Sequence, residues 1–512
     1  MEQTSKALLL LLLLSSSSLA CIHNVHITLG DYFANQSAAA IYRVGFTTVT
    51  FQDADCVAGV KLVVTFPDKT TATYATTNDT RNYSFHGLAQ SNVPTAATGG
   101  QVDIDRTFGF IELTKLTNMS EFTYRFEYKG QVVRGPYSFK TRILNKNNDF
   151  KVVAFGDHDE LAGSTTITQL AKADFDLIVL TGDYAFDIHS NNGARGDTYF
   201  DAMEPLFTRV PVVLAPGSRE FLDNYNLFAS KFIFPLNKTE TSVSNYHFVV
   251  NNTLFITLNF DLIFLDKDAY NAALVYLKAT LDKYAQDKTI NHRIFFANRP
   301  FICSNQNTDV DGTQTTCNVY PLLLKQFNDV LQQYNVQLVL SGNQLYYERS
   351  HPLYNLNTED DGIVYVIAGT GGNSLKVADP SLSKAEYKAV DLQKILGFVA
   401  LDITTDKIHG DFIGSNDGSK LDSFDIGSKP WYKRPWVWIL AAILAALAGI
   451  GAFMGMRRPN RGYKPMDDRV VEERREVRYD DGTVQQQNVR TEVRGGNEVR
   501  REYKTELVDN RY

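Results

Sequence analysis

Cysteine is scarce. The 512 residues contain four, Cys21, Cys56, Cys303 and Cys317, and no two of them stand in CxxC spacing, so the usual pattern of a structural zinc site is missing. A basic excess is missing too: 51 Lys and Arg against 58 Asp and Glu leave a net charge of −7, which gives no electrostatic footprint for nucleic acid. Long uncharged apolar runs stand only near the two ends, and both are informative.

At the start, Lys6 precedes the apolar run Ala7–Leu14, and Ser18-Leu19-Ala20 offers small residues for cleavage before Cys21. Residues 1–20 therefore read as a secretory signal peptide, too short and wrongly flanked for a span. Near the other end, Trp436 to Met456 is uncharged and apolar. At about 1.5 Å rise per residue, roughly 20 such residues cross a bilayer core of about 30 Å. Trp431, Tyr432, Trp436 and Trp438 mark its outer edge, and Arg457, Arg458, Arg461 and Lys464 follow it, as interfacial aromatics and a cytoplasmic side would. The expected topology is type I, with residues 436–456 as a single transmembrane helix. Asn35, Asn78, Asn82, Asn118, Asn237 and Asn251 each head an Asn-x-Ser/Thr triplet, all before the span. The four cysteines also precede it, in an oxidising compartment. Four cysteines allow three pairings; Cys303 and Cys317 share one loop and are expected to pair, leaving Cys21 with Cys56.

Between these ends the pattern changes once. Residues 22–145 are short alternating runs such as VHITLG, GVKLVVTF and FTYRFEYKG, parted by turn residues, which read as an antiparallel sandwich. A polar stretch at Asn145–Asn148 reads as a linker. From there KVVAF (151–155), DLIVLTG (176–182), VPVVLAPG (210–217), RIFFA (293–297), VQLVLSG (336–342) and GIVYVIAG (362–369) are near-continuous apolar runs, the signature of strands covered on both faces in an α/β layered domain. Helical patterns lie between them. Residues 416–435 read as a juxtamembrane segment. The tail 457–512 is dense in both charge signs and is expected to be disordered; alternation in REVRY, NVRTEV and EVRREYKTELV leaves a hairpin as the alternative.

Five blocks follow the apolar runs: FGDHDE (155–160), TGDYAFD (181–187), APGSRE (215–220), ANRPFICSN (297–305) and SGNQLYYERSHPLYN (341–355). Their order and frames resemble the purple acid phosphatases, a branch of the calcineurin-like metallophosphoesterases. There the blocks read GDxG, GDxxY, GNHE, HRP and GHxHxYER. The resemblance implies a metallophosphoesterase-like domain over 150–415, a β-sandwich core with flanking helices. It also implies that the all-β domain over 21–145 is fibronectin-III-like, since NVHITLGD resembles that domain's start. In the family these blocks hold a binuclear Fe/Zn or Fe/Mn centre that hydrolyses phosphoesters. Of its ligand positions only Asp157 and Asp183 keep the family residue. The Tyr position is Phe186, the Asn position Ser218, and the three His positions are Asn298, Asn343 and Leu345. Beside them, the Gly of GDxG is Asp159 and the His of GNHE is Arg219.

Leu345 and Phe186 offer no donor, and neutral Ser218, Asn298 and Asn343 are poor ligands for ions that favour imidazole or anionic groups. No cofactor is therefore expected. His158, His189, His247 and His351 are the candidates for a rebuilt site, and Arg219 is expected to supply the missing positive charge beside Asp157, Asp183 or Asp159. In the tail, Gly462-Tyr463-Lys464-Pro465-Met466 resembles a Tyr-x-x-apolar sorting signal read by an endocytic adaptor, through Tyr463 and Met466. The reading is a membrane glycoprotein of the cell surface or endolysosomal membrane, with a non-catalytic phosphatase-like ectodomain serving as receptor, adhesin or trafficking protein for an extracellular ligand. The alternative is a membrane-anchored phosphohydrolase with a remodelled metal centre.

Overall fold

The computed structural model describes residues 22–29, 42–49, 59–75, 80–84, 105–113, 116–117, 120–141, 149–185, 188–191, 193–221, 225–232, 245–303, 324–372, 388–392, 394–427, 469–478, 484–494 and 497–508. The expected signal peptide, linker, membrane segment and sorting motif lie outside these, as do Phe186, Cys21, Cys56, Cys317, Asn35, Asn78, Asn118 and Asn237. Among the described residues no helix is long and apolar enough to cross a membrane.

The alternating N-terminal runs form two four-stranded antiparallel sheets. One runs His23–Leu29, Tyr42–Val49, Asp105–Leu113, Thr80–Ser84, and the other Thr71–Ala75, Val60–Thr65, Glu121–Tyr128, Gln131–Lys140. In Glu121–Tyr128 every second residue, Phe122, Tyr124, Phe126 and Tyr128, is buried, the period-two pattern of a strand with one face on a core.

The near-continuous apolar runs become the strands of two further sheets. Three of them, Phe150–Phe155, Leu177–Leu180 and Val212–Leu214, lie parallel, and Gly397–Ile403, Lys407–Gly414 and Lys420–Gly427 extend that sheet antiparallel. The other sheet runs Tyr246–Val250, Thr253–Thr257, His292–Ala297, Leu338–Ser341, Val364–Ala368, Tyr347–Ser350, Lys388–Leu392. Its alternate residues divide between two cores. Phe255, Ile294, Phe296, Leu338 and Leu340 pack in the core that contains the first sheet. Leu254, Ile256, Phe295 and Val339 pack with Leu277 and Leu281 of the helix Lys267–Tyr284 and Phe327 of the helix Lys325–Gln333. Burial on both faces is why these strands lack polar alternation.

Residues 22–427 fall in a single compact unit, within which the sandwich and the α/β layers, expected as domains at 21–145 and 150–415, are in contact. A buried polar seam joins them. Asp197 takes Arg106 at 2.6 Å and Lys231 at 3.2 Å, Lys231 also donates to Asn24 at 2.6 Å, and Arg134 pairs with Glu204 at 2.6 Å. The juxtamembrane reading of 416–435 is corrected over its described part. Lys420–Gly427 is the outer strand of the first α/β sheet, held because Asp422 takes a fork from Arg349 at 2.6 and 2.9 Å and the Tyr347 hydroxyl at 2.7 Å.

The tail reading is likewise corrected over its described part. Arg469–Arg478, Val484–Arg494 and Asn497–Val508 form a three-stranded antiparallel sheet, extending the hairpin alternative. Its charge density does not forbid a sheet because unlike charges stand opposite: Arg490 lies across from Glu472 on one side and Glu502 on the other, an arrangement that stabilises strand pairs. This unit is separate from residues 22–427.

Candidate functional site

The sheets bring key residues of all five blocks to one place, the carboxyl ends of parallel strands, where α/β sheets collect functional groups. Asp157 follows Phe150–Phe155, Asp183 follows Leu177–Leu180, Asn298 follows His292–Ala297 and Asn343 follows Leu338–Ser341; Ser218 opens the short turn after Val212–Leu214. Three of them, Asp157, Asp183 and Asn343, have φ of 53°, 57° and 65°, a left-handed conformation that Asp and Asn tolerate better than most residues. Glycine lets the loops close around the carboxylates. A Cβ on Gly217 would stand 2.5 Å from Asp183 Oδ1, and one on Gly342 would stand 2.9 Å from Asp157 Oδ2.

The polar atoms at these positions are bonded to the protein itself. The Asn343 N–H donates to Asp157 Oδ2 at 2.6 Å. Asp183 Oδ1 accepts from the Arg219 N–H at 2.9 Å and the Ser218 hydroxyl at 3.1 Å. Asn298 Nδ2 donates to the Thr181 carbonyl at 3.0 Å, Asn343 Nδ2 donates to Asn298 Oδ1 at 3.3 Å, and Gln344 Nε2 donates to Asn343 Oδ1 at 3.2 Å. Beneath lies Glu220, fully buried, taking the backbone N–H groups of Gly217, Asp183 and Tyr184 at 2.8, 3.1 and 2.9 Å. It staples two of the loops together.

The electrostatics favour retained protons. Burial, and then the nearby Asp183 charge, push the Asp157 carboxyl well above the usual carboxylate range; the Asn343 N–H only partly opposes this. Burial and Asp183 raise Glu220 in the same way.

Arg219 stands beside Asp183 through its main chain. What it gives Asp183 is its backbone N–H, and its charge acts on Asp157 as the smallest of the five influences there. The cation at Asp159 is Arg195, whose guanidinium reaches both Asp159 and Glu160 and also donates to the Ala185 carbonyl at 3.0 Å. The sequence carried a signal for it, since Arg195 lies in the Gly-flanked run NGARGD (192–197), but nothing in one dimension says which acidic block it meets. Glu220 was legible only as part of the third block's frame.

The remaining positions are structural. Leu345 is buried, 8% exposed. The Tyr-Glu-Arg frame ties down the closing strand: Tyr347 stacks on Phe412 with ring centroids 4.0 Å apart, and Arg349 holds Asp422. Among the histidines, His158 is buried between the rings of Phe155 and Tyr199, His247 is bonded to the Tyr276 hydroxyl at 2.6 Å, His189 is buried and His351 exposed. Among the described residues no three His, Cys, Asp or Glu side chains are placed to hold a metal ion. A pair of ions needs anionic or imidazole donors with free lone pairs. The residues present do not fit that need: one carboxyl favours its proton, and the amides are turned on one another. Cys303 is disulfide-bonded, with its partner outside the described residues. Asn251 heads a two-residue turn between Tyr246–Val250 and Thr253–Thr257 with φ of 51°.

Residues 362–423 match the family described as iron/zinc purple acid phosphatase-like protein C. The chain is similar to purple acid phosphatase 15 of Arabidopsis thaliana, 24% identical over 310 residues, 54% of this chain and 56% of the relative. It spans about half the length of the curated relatives it matches. Among solved structures, a purple acid phosphatase from yellow lupin (Lupinus luteus) seeds matches with TM-score 0.63 and 18% identity, over 80% of this chain and 74% of that one. A structure titled as GAP50, the anchor in the inner membrane complex of Plasmodium, matches with TM-score 0.42 and 16% identity, over 55% of this chain and 90% of that one.

Proposed function

We propose that this chain of the purple acid phosphatase-like metallophosphoesterase family keeps the family's fold without its hydrolysis, as the non-catalytic ectodomain of a single-span membrane glycoprotein. The carrying observation is the run of hydrogen bonds from Gln344 through Asn343 and Asn298 to the Thr181 carbonyl, which engages the polar side-chain atoms at two of the imidazole positions of the resemblance. Asp157 and Asp183 persist in this reading because they accept backbone N–H groups and so hold loops together. The frames persist because Tyr347, Arg349 and Glu220 build the fold.

The same reading makes residues 21–145 a fibronectin-III-like module and Trp436–Met456 the span, with glycans before it and the tail after it. Such a molecule serves as a receptor, adhesin or trafficking protein. Protease treatment of sealed vesicles tests the topology: the tail is expected to stay protected, and digestion of an epitope after Tyr512 on intact cells would overturn it. If GYKPM (462–466) is an adaptor signal, Tyr463→Ala raises surface levels; unchanged levels remove the motif.

The full chain, purified and dialysed, is expected to hold no stoichiometric metal and to leave an aryl phosphate intact. The retained pair Asp157 and Asp183 is what favours the second reading, a remodelled phosphohydrolase. Two metal equivalents surviving dialysis, with turnover abolished by Asp183→Ala, would establish that reading in place of the first.

A further inference from the structure

The tail sheet ends on an edge that is complementary to itself. Strand Asn497–Val508 has one neighbour among the described strands, Val484–Arg494, and its other edge bonds to no described strand. Long exposed edges of this kind are templates for another strand. Along it Arg500, Glu502, Lys504 and Glu506 recur at every second position, which in a strand places them on one face. Their signs read plus, minus, plus, minus. An even row of alternating signs becomes its own complement when reversed, and antiparallel pairing reverses it.

We propose that two copies of this chain join through this edge in antiparallel register centred on Tyr503, extending the three-stranded sheet to six strands. Arg500 then stands opposite the partner's Glu506 and Glu502 opposite the partner's Lys504, each pair occurring twice by symmetry. On the other face Tyr503, 57% exposed in the single chain, meets its own copy, and Arg501 stands opposite the partner's Thr505. The inference does not depend on the ectodomain's being inactive.

Charge and overlap together select the register: a Thr505 centre also pairs Lys504 with the partner's Glu506, but it aligns only residues 502–508 of the strand, against 498–508 for Tyr503. A two-fold axis normal to an antiparallel sheet passes through a residue position. Centring on Glu502 sets that carboxylate against itself and Arg500 against the partner's Lys504. Centring on Lys504 sets that ammonium against itself and Glu502 against the partner's Glu506. Like charges directly opposite destabilise a strand pair. Centring on Arg501 opposes two guanidiniums and draws into the new ladder the bulge at Val499, where the pairing shifts from Glu492↔Arg500 to Val493↔Glu498. The opposite edge strand, Arg469–Arg478, also alternates through Glu472, Arg474, Glu476 and Arg478, but its centre is Arg475, which would face its own copy.

The test uses the full chain in nanodiscs or mild detergent, read by analytical ultracentrifugation and disulfide trapping. Residues directly opposite across antiparallel strands have Cα atoms about 4.5–5.5 Å apart, within reach of a disulfide. Tyr503→Cys is expected to cross-link to itself under mild oxidation. Arg501→Cys and Thr505→Cys are expected to stay unlinked alone and to link when mixed. Lys504 lies opposite Asn488 in its own sheet, so Lys504→Glu sets no like charges directly opposite each other within the chain, yet sets two carboxylate pairs against each other in the dimer. It is expected to weaken association roughly ten-fold or more, while Lys504→Arg keeps it. A chain that stays monomeric, a dimer indifferent to Lys504→Glu, or self-linking of Arg475→Cys in place of Tyr503→Cys would each overturn the proposal.

Discussion

The backbone N–H of Asn343 donates to Oδ2 of Asp157 at 2.6 Å, so the fifth block holds the aspartate of the first block through its main chain. That bond uses only the main chain of Asn343 and makes the aspartate an acceptor that ties two loops.

Asp157→Asn tests that role. The Asp157 carboxyl is raised in the fold by burial and then by Asp183. A raised carboxyl contributes stability that is fully present below the unfolded value of about 3.9 and is lost as pH rises through the folded value. Asn keeps an acceptor for the Asn343 N–H and cannot ionise. The variant is expected to melt higher than wild type at pH 7–8 and to match it more closely near pH 4. A lower melting temperature at neutral pH, with loss of bound metal, would show Asp157 working as a ligand.

Arg195→Ala should cost more than Arg219→Ala. The Arg195 guanidinium spans Asp159 and the buried Glu160, and orphaning buried carboxylates typically costs 3–5 kcal/mol. Partial solvent access at Arg195 lowers the expectation to about 2–3 kcal/mol. Arg219→Ala retains the N–H that bonds Asp183. Urea unfolding of both variants gives the comparison; equal losses would restore Arg219 as the pocket's charge.

Acid should loosen the seam at His26. Burial lowers its pKa from 6.5 to about 4, and its ring bonds the Asn24 carbonyl at 2.9 Å. A lowered imidazole contributes stability that is present above 6.5 and lost as pH falls toward 4, on the order of 3 kcal/mol at most. His26→Gln is expected to flatten the melting curve between pH 6.5 and 4. An unchanged slope would place the acid sensitivity elsewhere.

Asp197→Ala is expected to destabilise the sandwich and the α/β layers together. It leaves Arg106 and Lys231, whose side chains are 4% and 3% exposed, without their shared anion, at roughly 3–5 kcal/mol. Calorimetry should show a single transition moving down as one. Two transitions, with only the first shifted, would show that the seam does not couple the layers.

Much of this was legible in one dimension because it is local. The apolar runs KVVAF and VQLVLSG announce strands buried on both faces, and the glycine of each block announces a turn at a strand's end. Residue chemistry alone says that Leu345 and Phe186 donate nothing to a metal. Tail disorder was misread because composition counts charges without their register, and only pairing sets Arg490 between Glu472 and Glu502.

What the sequence determined by itself is therefore the strand content, the order of the five blocks and the donor types that stand in them, since each depends on residue type and near neighbours. Tertiary structure alone decided that Arg195 rather than Arg219 meets Asp159, that Glu220 staples two loops, that Asp422 makes 420–427 part of the sheet, and that Asp197 welds two layers into one unit. Each of those contacts joins residues tens of positions apart or more, and charge or hydrogen-bonding capacity does not name its partner until the chain has folded.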